Sequence, residues 1–404
     1  MSSRTDHAAI GTIFAVHGAV AGTFATRVPA IAERLDLSPG ELGVALFMPA
    51  VSSLILMPMT GRLIHRIGTR TATRLLIAVW CLAPILTAVA PNLPGLCATL
   101  LVFGAAAGTA DVAMNAQGVA TEAHIGRSIM SSLHGLWSIG GFAAAGAGAL
   151  VVKADLGVLP HFAAMAALLL LISQVAGPRL AATAADEVDD GEPAPPRFAL
   201  PRGPVLAVAL LAFCAVFPEI AGLDWAAVYL TRVLDSGHAT AALGYTVFAA
   251  GMAICRLLGD RIIRRFGAVP TVRTGAVAGT IGAALVVWAV NAPVTIVGFG
   301  LLGVGISVVV PLAFATAGRV GSQSGRAQTG NAIAGVATIA YGAGLAAPGI
   351  IGGVASLSSL RISFVLVAVL VATVALTAGV LSSATEGGDE PTEPAGRVEV
   401  PAAD

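Results

Sequence analysis

The hydrophobic residues of this chain fall into long uninterrupted runs. Runs of about 20 apolar residues, bounded by charges, prolines or glycine clusters, are typical of helices that cross a bilayer. Twelve such runs can be counted, with approximate limits 9–30, 41–60, 72–90, 95–119, 128–151, 158–178, 204–231, 241–260, 270–289, 294–318, 330–354 and 359–381. The pattern predicts an all-α membrane protein with twelve transmembrane helices.

Two polar stretches divide the chain. Residues 181–202 carry a cluster of acids followed by prolines, and residues 383–404 are again acidic and proline-rich. Such segments cannot bury enough apolar surface to fold. We therefore expect a six-helix bundle over 1–180, a disordered cytoplasmic linker over 181–202, a second six-helix bundle over 203–382, and a disordered cytoplasmic tail over 383–404.

Composition narrows the class of function. Hydrophobic residues make up 56% of the chain and charged residues 11%, and the mean hydropathy is +0.88. No water-soluble domain could bury this much apolar surface. The net charge of zero gives no basic surface for nucleic acid. We expect no enzyme, cofactor or metal site, since neither a catalytic constellation nor paired cysteines occur and Lys153, the only lysine, lacks a phosphate-binding glycine loop.

The basic residues predict the orientation in the membrane. With twelve spans, 17 of the 22 lysines and arginines fall on the face that holds both termini; the other five are Arg27, Arg34, Lys153, Arg232 and Arg361. Because cytoplasmic loops carry the excess of basic residues, we expect both termini in the cytoplasm and the protein in the cytoplasmic membrane.

An internal repeat relates the two halves. Shifting the sequence by 199 residues superposes loop residues of one half on identical residues of the other. The matches include Arg62 with Arg261, Arg66 with Arg265, Gly68 with Gly267, Asn92 with Asn291 and Pro94 with Pro293. Two six-span repeats in the same orientation are the plan of transporters that move one half against the other.

The loop after the second span resembles a motif of the major facilitator superfamily. It reads from Gly61 and Arg62 through Arg66 to Gly68, and Arg261, Arg265 and Gly267 echo it in the second half. The resemblance implies a major facilitator fold and a cytoplasmic loop motif at these positions. Anchoring by positive charge alone is the alternative.

Span 4 holds the most informative residues, Asp111 and Asn115, one helical turn apart. A carboxylate at a helix centre costs about 2.5 to 3.5 kcal/mol on insertion scales, so it normally faces an internal cavity and has a function. The segment resembles the acid-x-x-x-Asn segment of fucose-permease-like sugar:proton symporters, and residues 131–137 are similar to bacterial relatives of that branch. The alternative is an acid that only binds a neighbouring helix.

Further polar residues within the spans are candidates for substrate binding or coupling. Glu219 of span 7 is a second candidate proton carrier, while Asp224, five positions later, is expected on another face of the helix. His134 and Trp137 of span 5 share one face; His17 of span 1 and Tyr341 of span 11 complete the set. A packing role is the alternative for each of these four.

We therefore predict a secondary active transporter, acting as a monomer in the lipid bilayer, that moves a small polar solute by alternating access. The resemblance implies a sugar as solute and protons as coupling ion. An efflux pump for amphipathic compounds is the alternative, and it would require a cavity lined by aromatic and aliphatic side chains. A membrane sensor without transport is a third hypothesis, although the linker and tail offer no folded output domain.

Overall fold

The computed structural model describes residues 3–37, 39–182, 200–323 and 326–384, and these ranges contain helices and no strands. Most of the predicted linker and nearly all of the predicted tail lie outside the described residues. The helices are α1 (Ser3–Ala25), α2 (Val28–Arg34), α3 (Pro39–Ile67), α4 (Thr69–Ala88), α5 (Leu93–Ile125), α6 (Met130–Lys153), α7 (Val158–Ala176), α8 (Gly203–Leu234), α9 (His238–Phe266), α10 (Ala268–Trp288), α11 (Ala292–Ile306), α12 (Val309–Gln323), α13 (Arg326–Leu357) and α14 (Leu360–Thr377).

Within the described ranges, eleven helical segments are long and apolar enough to cross a membrane. The predicted eighth span lies within α9, which has 29 residues and is not among these eleven segments. The number twelve therefore stays a prediction.

Prolines explain where the helices depart from the predicted spans. The first span is followed by the separate short helix α2, which has Pro29 in its first turn. The predicted tenth span is two helices, α11 and α12, that meet at Ser307 and Val308. Pro311 lies at the start of α12, where its missing N–H removes a helical hydrogen bond and permits the break.

The helices form two groups. Helices α1 to α7 pack mainly with one another, and so do α8 to α14. The two groups meet chiefly along α3 with α13 and along α6 with α9. In the following, the terminal side is the side on which α1 begins, α6 begins and α9 ends, and the opposite side is the one on which α8 ends and α9 begins.

Helices α1 and α6 approach each other through glycines. A Cβ added at Gly18 would lie 2.0 Å from the carbonyl oxygen of Trp137, and one at Gly140 would lie 2.0 Å from that of Ala15. Small residues at such contacts let two backbones touch, which is the usual basis of helix association in membranes. The contact fixes the position of Trp137 relative to α1.

We expect Gly18→Ala to separate α1 from α6, because the added methyl group meets backbone atoms that cannot rotate away. Overpacking of this kind costs about 1 to 3 kcal/mol. Thermal unfolding of the purified protein in detergent should show a lower midpoint for this variant. Gly146→Ala is the matched control, since no atom lies within 4 Å of its added Cβ; equal midpoints for both variants would contradict the prediction.

Candidate functional site

A cavity of about 870 Å³ lies between the two groups of helices. Its wall is built from α3, α5 and α6 of the first group and from α8, α9, α12 and α13 of the second. The polar side chains on this wall are Ser53, Asp111, His134, Trp137, Glu219, Asp224, Arg256 and Tyr341. The remaining lining residues are apolar side chains, glycines and prolines.

The cavity is accessible from the opposite side. Gly43 and Phe47 near the start of α3, Asp224 in the last third of α8, and Gly349 of α13 line it and are exposed. Towards the terminal side the wall ends at buried residues such as Met114 and Arg256. A solute could therefore enter from the opposite side and would stop at this inner end.

Asp111 lines the cavity and is only 8% exposed. No described residue forms an ion pair with its carboxylate, although it interacts electrostatically with Tyr341 of the other helix group. Its neighbour Asn115 is fully buried and does not line the cavity. The Asn115 amide donates to the carbonyl oxygen of Asp111 at 2.9 Å and lies 3.2 Å from His134 Nε2.

His134 connects the Asp111 segment to the second helix group. Because Asn115 Oδ1 can only accept a hydrogen bond, His134 Nε2 must be the donor. The imidazole stacks on Phe314 of α12 with ring centroids 5.9 Å apart, and Phe14 of α1 meets its edge at 5.4 Å. His134 therefore contacts both helix groups, and a movement of α12 relative to α6 would change its stacking on Phe314.

His17 does not reach the cavity wall but lies behind Trp137. The Trp137 indole N–H donates to His17 Nδ1 at 2.9 Å. His17 Nε2 lies 3.3 Å from the carbonyl oxygen of Ala107, so this nitrogen carries the proton. Trp80 stacks on the imidazole and donates to the His17 carbonyl oxygen. The ring is thus occupied by protein partners, and its geometry suits orienting Trp137 rather than contacting a solute.

Glu219 lines the cavity and is paired with Arg256. Arg256 Nη2 lies 3.0 and 2.9 Å from the two carboxylate oxygens, and Arg256 Nε donates to the carbonyl oxygen of Ser307. The sequence analysis assigned Arg256 to the basic face of the membrane; that assignment is wrong, because its side chain is only 5% exposed and lies on the cavity wall. An arginine inside a long helix, one turn before Asp260, was the signal that could have identified it.

Asp224 lines the same cavity as Glu219 and lies at its exposed mouth, which does not conflict with their angular separation on the helix. The cavity is wide enough to contact α8 over more than one face. Pro218 lies within α8 next to Glu219, where the lost hydrogen bond permits a bend.

Sequence comparison places these features in a family. The family model described as Major Facilitator Superfamily matches residues 10–337. This chain belongs to that superfamily. It is 38% identical over 368 residues to an uncharacterized MFS-type transporter of Yersinia pestis, with 90% of this chain and 93% of the relative covered. It is 33% identical over 368 residues to the uncharacterized transporter y4wD of Sinorhizobium fredii, with coverages of 91% and 96%.

The fold agrees with this membership. FucP, the fucose:proton symporter of E. coli, resembles it with a TM-score of 0.77 in a crystal structure of the outward conformation. The match covers 93% of this chain and 98% of FucP at 14% identity. The protein is thus an integral membrane transporter of the major facilitator superfamily, and its fold is similar to that of FucP.

In this transporter the cavity is closed on the terminal side by contacts between α6 and α9. Asp260 of α9 accepts hydrogen bonds from the backbone N–H groups of Ser131 and Ser132, at 3.1 and 2.8 Å, and from the Ser128 hydroxyl at 3.0 Å. Glu122 of α5 accepts the two preceding N–H groups, those of Ile129 and Met130. One carboxylate from each helix group therefore caps the start of α6.

The glycines of the loop motif have two distinct structural roles. Gly68 and Gly267 adopt positive φ angles of 77° and 83° at the turns that follow α3 and α9, a conformation that other residues rarely adopt. Gly61 touches α13, because an added Cβ would lie 2.3 Å from Asn331 Oδ1. Three of the motif arginines, Arg66, Arg261 and Arg265, are exposed, and Arg62 is half-buried.

Proposed function

We propose that this protein is a secondary active transporter that moves a small solute through the central cavity by alternating access, with protons coupled through Asp111. The observation that carries the proposal is a carboxylate that is more than nine-tenths buried, faces a cavity between two helix groups, and has no ion pair among the described residues. Such a group can meet either a proton or the solute.

The other site residues take roles that follow from their positions. Asn115 and His134 hold the Asp111 segment, while Trp137 and Tyr341 offer ring faces to the solute. Glu219, the second candidate proton carrier, would have to leave Arg256 before it could bind and release protons freely. We therefore assign proton coupling to Asp111. The Glu219–Arg256 pair links α8 to α9.

The proposal includes two parallel six-helix repeats with twelve spans and both termini in the cytoplasm. It is supported by the helix bounds, because α3 and α9 begin at residues 39 and 238 and end at residues 67 and 266, the offset that the sequence repeat predicts. The cavity would then be open to the outside, and rocking of the two groups would open it inward.

A second candidate is the export of amphipathic compounds. It is favoured by the cavity wall, where Phe47, Phe314, Leu46 and Ile220 are among many apolar side chains. The low aromatic content of the whole chain, 5%, argues against this function, but Phe47, Trp137, Phe314 and Tyr341 all line the cavity. The chemical character of the side chains on this wall therefore decides between a sugar and an amphipathic solute.

Transport by the purified protein in proteoliposomes tests the proposal. Radiolabelled L-fucose and tetraphenylphosphonium are the probes, and each is measured with and without an imposed pH gradient while the membrane potential is clamped. We expect one of the two to move in response to the gradient, with protein-free liposomes as control. If neither probe responds to a pH gradient in either direction, proton-coupled transport of these two classes is excluded.

A further inference from the structure

The charges on the cavity wall do not balance. Three carboxylates, those of Asp111, Glu219 and Asp224, face a single guanidinium, that of Arg256. Arg256 is bound to Glu219 through both carboxylate oxygens, so these two charges cancel. Asp111 and Asp224 remain, and no described residue forms an ion pair with either. A cleft with low-dielectric walls and an excess of one sign concentrates ligands of the other sign.

The polar groups of the wall that could bind a neutral solute are largely occupied. The Ser53 hydroxyl donates to the Gly104 carbonyl oxygen at 2.7 Å. The Trp137 N–H is bonded to His17, and His134 Nε2 to Asn115. A sugar entering this space would find Asp111, Asp224 and Tyr341 as partners for only some of its hydroxyl groups, and each group left unsatisfied costs about 1 to 3 kcal/mol.

The remaining surface of the cavity is aromatic and aliphatic. Phe47, Trp137, Phe314 and Tyr341 come from four different helices and all line it. Aromatic faces attract cations as well as apolar groups, by about 0.5 to 2 kcal/mol for each well-placed contact. The volume of about 870 Å³ lies within the range of pockets that hold drug-sized ligands.

From the charge balance and the wall together, we infer that the substrate is an organic cation with an apolar body. Its charge lies between Asp111 and Asp224, and its body lies against the rings of Trp137, Phe314 and Tyr341. This inference rests on the proposed function and specifies the solute of the same cavity. It also explains why the carboxylate at Asp111 stays without a basic partner in the protein.

Two ions of nearly identical shape and opposite charge provide the test. Tetraphenylphosphonium is a cation and tetraphenylborate is an anion, and triphenylphosphine oxide is a smaller neutral analogue. Each is titrated into the purified full-length protein by calorimetry, with protein-free micelles subtracted. We expect the cation to bind at least tenfold more tightly than the other two. Equal affinity for the anion or for the neutral analogue would overturn the inference, and this comparison needs no variant.

Variants then identify the carboxylates that bind the charge of the cation. Asp111→Asn should weaken binding of tetraphenylphosphonium at least tenfold, and Asp224→Asn at least threefold. Asp155→Asn is the matched control, because this aspartate is exposed in the loop after α6 and does not line the cavity; its affinity should stay within twofold. Unchanged affinity in a folded Asp111→Asn protein would refute the assignment.

Failure of this inference can be distinguished from failure of the proposed function. If fucose responds to the pH gradient and the cation neither binds nor moves, transport stands and the substrate class is wrong. If the cation binds with the expected selectivity but no probe responds to a gradient, the substrate class stands and proton coupling is wrong.

Discussion

Asp111→Asn should make transport insensitive to a pH gradient. Asparagine keeps the size and polarity of the side chain but cannot bind and release a proton, so the coupling step is lost while the cavity keeps its shape. A gradient of one pH unit supplies about 1.4 kcal/mol per proton, sufficient for tenfold accumulation. We expect the gradient to raise the transport rate of the unaltered protein but not that of Asp111→Asn, so that the ratio of rates with and without the gradient falls to about one.

The measurement is the ratio of the two rates in proteoliposomes, which does not depend on how much of the variant is active. Asp224→Asn is the informative comparison, because it removes a carboxylate from the same cavity near its exposed mouth and should lower both rates without changing their ratio. A normal ratio in Asp111→Asn would assign coupling to another group, and Glu219→Gln would be the next variant to measure.

Arg256→Gln should be the most destabilising single change on the cavity wall. It leaves the Glu219 carboxylate without its guanidinium at a site only 16% exposed, and it removes the N–H donor to the Ser307 carbonyl. Breaking a buried pair by removing one partner costs about 3 to 5 kcal/mol. Since the pair borders a water-accessible cavity, we expect roughly 3 kcal/mol, the lower end of that range.

A double-mutant cycle separates this cost from the loss of arginine as such. The double variant Glu219→Gln with Arg256→Gln has no uncompensated charge and should recover at least half of the lost free energy of unfolding, measured by denaturant titration in mixed micelles. Arg261→Gln, on an exposed position of the same helix, should change stability by less than about 0.5 kcal/mol. Additive effects of the two single substitutions would mean that the pair does not stabilise the fold.

The sequence was sufficient to predict the helical membrane fold and several of the residues that face the cavity. Long apolar runs have few alternatives in a bilayer, and an acid within them must find a polar environment, so Asp111 could be singled out. Its place on the cavity wall agrees with that expectation, although its function in coupling stays a prediction. The same applies to Glu219, His134, Trp137 and Tyr341, which all line the cavity.

The sequence could not reveal which polar residues are partners of one another. His17 and Asn115 lie behind the wall, and Arg256 lies on it, because helix packing between distant segments decides these positions. A count of basic residues assigns every arginine to a membrane face. It therefore cannot recognise Arg256, which is buried on the cavity wall and paired with Glu219. Likewise, the break between α11 and α12 depends on how Pro311 is accommodated, which hydropathy alone does not describe.

The cap that Asp260 forms on α6 has a consequence for how the inner closure responds to mutation. Two of its three hydrogen bonds come from the peptide backbone of Ser131 and Ser132, which every residue except proline also provides. Substitutions along the start of α6 would leave these bonds intact, whereas loss of the single acid on α9 would remove them together. These contacts of the closed inner end therefore depend on a single residue of the second half of the chain, Asp260.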